Sequence, residues 1–222
     1  MANLPAYIRL VFVLTTLLSV FLFFRAAKSS PTVLLVLFAW LALQAVISRT
    51  GFYTVTNSFP PRFVLLVMPA LIAIILLFIT RSGKKFIDGL DSKTLTLLHS
   101  VRIFVELVLY WLFLNKAVPK EMTFEGKNFD ILAGLTAPII FYFGFVKHTL
   151  GKKVMIAWNI ICVLLLLNIV TIAVLSAPFP FQQLGFDQPN IAVLYFPFVW
   201  LPCCIVPLVL LSHLATIRKL LK

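Results

Sequence analysis

The chain has 222 residues, 62% of them hydrophobic and only 12% charged, with a formal net charge of +12 and a mean hydropathy of +1.07. A soluble domain of this length is about half apolar and about a quarter charged, so this composition excludes an ordinary water-soluble globule and indicates membrane helices. The nineteen Lys and Arg residues form no tract and mostly flank hydrophobic runs, which excludes nucleic acid and leaves anionic lipid headgroups as the partner for that charge.

Seven segments are long enough to cross about 30 Å of hydrocarbon at about 1.5 Å per residue. The first, 6–27, is too long for the apolar part of a secretory signal. Arg25 and Lys28 follow it while only Arg9 lies near its start, so it reads as a retained helix with its N-terminus outside. The second, 31–52, carries Gln44. The third, 63–80, is the shortest and contains Pro69; the loop before it holds Phe59-Pro60-Pro61. The fourth, 94–118, carries His99, Arg102, Glu106 and Tyr110, and Glu106 reads as the only acid inside a membrane-length apolar run.

A polar rim follows, with Lys120, Glu121, Glu125, Lys127 and Asn128. The fifth segment, 129–151, contains Pro138 and Tyr142, and the sixth, 153–177, contains Asn159 and Asn168. The proline-punctuated apolar loop 178–189 is expected to dip into the interface or cap the bundle. The seventh segment, 190–217, holds Pro197, Pro202 and Pro207, each of which removes a backbone donor and permits a kink.

The expected fold is therefore all-α: one polytopic domain of seven transmembrane helices, without internal repeat. Twelve Lys and Arg fall on the side reached by 25–28, 81–93, 147–153 and 218–222, against six on the other. The positive-inside preference makes the richer side cytoplasmic, with the N-terminus outside, the C-terminus inside and a cytoplasmic or plasma membrane as the location. Cys162, Cys203 and Cys204 lie in apolar runs without CxxC or Cys/His spacing, and read as small packing residues rather than a disulfide or zinc framework.

At about 100° per residue, His99, Arg102, Glu106 and Tyr110 share an arc of roughly 80° on one helix face. Charges at membrane depth are costly unless they pair or line a site. Arg102 and Glu106 are spaced to pair along their own helix; separated by water or ligand, Glu106 becomes a proton or cation site and Arg102 an anion clamp. Asn159 lies at about the depth of His99 and Arg102 and joins them as a candidate ligand-binding residue.

The three histidines, His99, His148 and His213, fall on one side of this topology. Together they could hold Zn²⁺ with an open position, or two of them a haem, though no HExxH spacing requires either. No P-loop, GxGxxG or GxSxG is present, and the last segment has no lysine before Lys219 for a retinal Schiff base. Three functions remain. The first is binding or translocation of a small solute, ion or lipid headgroup at the site on the fourth helix. The others are a metal- or haem-dependent membrane enzyme and an assembly subunit whose polar groups only fix packing. A second copy of the chain is a further candidate partner.

Overall fold

A computed structural model describes residues 4–58 and 60–222; Phe59 of the Phe-Pro-Pro stretch lies outside them. The protein is all-helical, 72% of residues, without strands among the described residues. In chain order the helices are α1 (Ala6–Ala26), α2 (Pro31–Arg49), α3 (Phe63–Ile79), α4 (Arg81–Gly89), α5 (Ser92–Leu98), α6 (Val101–Leu114), α7 (Ile131–Ile140), α8 (Lys152–Leu175) and α9 (Val206–Leu220). Outward faces carry Leu10, Phe21, Leu35, Val46, Ile75 and Leu164 in the open. Such a surface suits hydrocarbon, where each helix satisfies its own backbone.

Five helices are long and apolar enough to cross a membrane, α5 and α6 counting together, or six if α3 and α4 are one bent span. Seven full-length spans were expected; the third and fifth segments account for the difference, and the seventh spans only from Leu201. The chain turns by 94° between α3 and α4, because Thr80 ends one helix and caps the next, its hydroxyl accepting from the Gly83 amide at 3.1 Å. The sequence Arg81–Gly89 has charges and apolar residues on opposite faces, with Gly83 and Ile87 buried, the pattern of a helix lying in an interface.

The fifth segment is a short helix: α7 and the wide π-helical turn Phe141–Val146 that continues it. Pro138 inside α7 weakens the regular ladder just ahead of that turn.

The seventh segment begins late. Residues 190–200 form turns and the short 3₁₀ helix Ala192–Leu194, and helix resumes only at the π turn Leu201–Ile205 that leads into α9. Pro197 disfavours helical geometry in the residue before it. The carbonyl of Cys203 in that π turn accepts the Trp40 indole N–H at 2.9 Å. Trp200 in turn donates to the Leu41 carbonyl at 3.0 Å.

α9 is the most enclosed of the long helices. It packs on α8, on α5 and on α3, while α1 covers α5 and α6.

Candidate functional site

Helical geometry changes where the fourth segment becomes polar. At His99 and Ser100 the backbone tightens to i→i−3 bonds, Arg102 N–H donating to His99 C=O at 3.1 Å, and α5 gives way to α6. A 3₁₀ interruption inside an apolar helix commonly marks a functional or strained position. At three residues per turn, His99 and Arg102 point the same way.

Arg102 is 2% exposed and Glu106 1%, yet they do not pair. The guanidinium takes Asp130 in a two-pronged grip, Nε donating to Oδ2 at 2.5 Å and an Nη to Oδ1. A further Nη donates to His213 Nε2 at 3.1 Å, and the Cys162 carbonyl accepts at 3.4 Å. Planar guanidinium and carboxylate match each other's geometry, which makes such bidentate pairs the strong ones. The i, i+4 pair expected on the helix loses to a partner 28 residues away because Asp130 meets the Nε–Nη edge of the guanidinium side-on with both oxygens.

Asp130 precedes α7, and Asn128 lies beside it. The Asp130 amide donates to Asn128 Oδ1 at 2.9 Å, while Asn128 Nδ2 donates to Glu106 Oε2 at 2.6 Å and to the Met122 carbonyl at 3.0 Å. The stretch 119–130 therefore runs back down beside α6 to the depth of its second residue. Asn168 of α8 holds it there, donating to the Lys127 carbonyl at 2.8 Å. Irregular backbone at this depth is tolerated only when it is enclosed by protein, and Asn128 is fully buried.

The network continues through α9 into α8. His213 Nδ1 lies 2.8 Å from Asn159 Oδ1, and Asn159 Nδ2 donates to the Met155 carbonyl at 2.8 Å. Since Arg102 can only donate to Nε2, the His213 ring proton sits on Nδ1. His99 stacks on His213 with centroids 3.6 Å apart and planes 9° from parallel, against the edge of Trp158. Neither His99 nitrogen has a hydrogen-bond partner among the described residues.

His99, Arg102, Glu106 and Asn159 thus do converge. Tyr110 does not: it is half-buried, its ring 4.9 Å from Phe124. His148 stands exposed in the turn after Val146, so the three histidines do not meet. No group of three metal-ligating side chains exists among the described residues, and the 3.6 Å stack of His99 on His213 leaves no space between the rings for a haem iron. Asp130 and Asn128 were missed from sequence because both sit at a segment edge, where a polar residue reads as solvated rim. Glu106 is accordingly one of two buried acids among the described residues.

A cavity of about 280 Å³ reaches this network from the side. Its walls are apolar, with Val64, Met68, Leu166, Val170 and Val174 from α3 and α8, and Arg102, Glu106 and Asp130 stand at its polar end. Glu106 has Asn128 as its hydrogen-bond partner and no ion pair among the described residues.

Residues 60–221 match the family described as "Domain of unknown function (DUF8737)". The chain belongs to that family. The matched stretch runs from just ahead of α3 through α9 and contains every residue of the polar network. No curated protein and no solved structure matches the chain.

Proposed function

We propose that this DUF8737 protein is an integral membrane protein that binds a small amphiphile in the cavity between α3, α6 and α8, with the ligand's polar end on Glu106. The observation that carries this reading is a buried carboxyl group without an ion-pair partner at the polar end of an otherwise apolar cavity. About 280 Å³ is near the lower end of small-molecule sites, and apolar walls with few convergent polar groups fit a ligand drawn from the bilayer. A purely structural role for the charged residues calls for each buried charge to be matched by an opposite one; Asp130 and Arg102 meet that, whereas Glu106 has only the Asn128 amide.

The chemistry narrows the ligand. Asp130 already neutralises Arg102 and, with His213 and Cys162, takes most of its donors, so the anion-clamp role falls away. A phosphate head would bring negative charge toward two carboxyl groups and one committed guanidinium. A hydroxyl, carbonyl or amine head fits better. The end of the bundle bearing α4 carries the excess of basic residues, so the positive-inside preference makes it cytoplasmic.

The test is thermal unfolding of the purified protein in nanodiscs with decanol, decylamine or decyl phosphate added at equal concentration. Decanol or decylamine raises Tm, and decyl phosphate does not. Ala173→Phe, which fills the cavity, removes the shift, and Glu106→Gln removes the response to the amine. An unchanged response in Ala173→Phe would overturn the proposal.

A further inference from the structure

A second cavity, about 370 Å³, lies on the other side of α3. α2 and α3 form its walls through Val33, Leu37, Trp40, Ala73 and Leu77, and Cys204, Pro207 and Leu208 form its floor. One end is closed by Trp40, fixed through its bond to the Cys203 carbonyl. The other reaches Thr32 at the start of α2 and Phe86 on α4. Thr32 and Trp40 are eight residues apart on α2, so the groove runs for about 12 Å, most of the roughly 15 Å of hydrocarbon in one leaflet.

Charge gathers at that open end. α4 crosses it at 94° to α3, with Arg81 and Lys85 exposed and Lys84 half-buried in the turns just ahead of the groove-lining Phe86, and Lys28 exposed four residues before the groove-lining Thr32. None of these four is in an ion pair among the described residues. The nearby acids are committed: Asp88 to Arg218 and Lys222, and Asp91 to the Thr94 amide that it caps.

We propose that this groove holds an acyl chain of one anionic phospholipid, with Lys84, Lys85 and Lys28 taking its phosphate-bearing headgroup. An apolar slot one leaflet deep, opening under unpaired cations, matches both halves of such a lipid. This site is separate from the Glu106 cavity and has the opposite charge preference.

Native mass spectrometry of the full chain, released from nanodiscs containing equal phosphatidylglycerol and phosphatidylcholine of the same chain length, reads the site directly. One phosphatidylglycerol is retained in preference to phosphatidylcholine. Each lysine near a headgroup contributes about fivefold, so Lys84→Gln with Lys85→Gln lowers that preference about twenty-five-fold. Ala73→Trp, which fills the groove from its lipid-facing wall, abolishes retention of either lipid. Equal retention of the two lipids by the wild type would overturn the proposal, as would a preference untouched by the lysine pair. A dimer lost in Ala73→Trp would assign the groove to a second copy instead. Ala173→Phe leaves the result unchanged, which separates this site from the first.

Discussion

Asp130 is the residue on which the site turns. Placing charge in a low-dielectric interior is costly, and breaking a buried ion pair typically costs about 3–5 kcal/mol because one charge is left alone, whereas replacing both partners by apolar groups is often close to neutral. Asp130→Leu alone should therefore destabilise strongly, and Arg102→Met with Asp130→Leu should recover most of the loss. Arg102→Met with Glu106→Leu should not recover it, since Glu106 is not the partner. Thermal unfolding of the four proteins in one detergent decides it; rescue by the Glu106 combination would sink the assignment. At the same scale, Asn159→Ala removes the acceptor 2.8 Å from His213 Nδ1. It should cost about 1–3 kcal/mol by leaving a buried donor unsatisfied, read in the same unfolding assay.

Between elements, close approach and surface charge set the arrangement. A Cβ on Gly134 would come within 2.9 Å of the Ile103 backbone nitrogen, so α7 can lie against the first turn of α6 only because this residue has no side chain. Gly134→Val should push α7 outward and draw Asp130 from Arg102. A loss of several degrees in Tm is expected, and a variant as stable as wild type would show that the contact is not tight. α4 is held differently. Hydrogen bonds from Arg218 and then Lys222 lower the half-buried Asp88 carboxyl to about 2. A depressed folded-state value means the contact is fully present above the ordinary value near 4 and is lost as pH falls toward 2. Protection of α4 amides, taken relative to the intrinsic exchange rate at each pH, should thus hold at pH 5 and fall between pH 4 and 2, while Asp88→Asn is less protected already at pH 7. Identical exchange in the two proteins at pH 7 would remove the pair from the account of how α4 docks.

Across the whole molecule, the proposed sidedness can be checked by labelling. Lys28→Cys and Lys222→Cys should react with an impermeant maleimide from the cytoplasmic face, and Lys116→Cys from the outer face. The native Cys162, Cys203 and Cys204 are buried and should add little background. Labelling of Lys28→Cys and Lys222→Cys from opposite faces would refute the topology. Composition and long apolar runs alone determined that the protein is all-helical with several helices long and apolar enough to cross a membrane, because the cost of an unsatisfied backbone in hydrocarbon leaves a segment of that kind few alternatives to helix. They located the starts of α1, α2, α3 and α8 to within a residue for the same reason. The polar stripe was likewise legible at His99, Arg102 and Glu106, since charge within such a run is conspicuous. Which acid meets Arg102, the half-length α7, the inward course of 119–130 and the late start of α9 were decided by tertiary structure. Each depends on partners distant in sequence: Asp130 across to Arg102, Lys127 to Asn168, and the Cys203 carbonyl to Trp40. Hydropathy is a local average, and it carries no information on which distant groups meet when the helices pack.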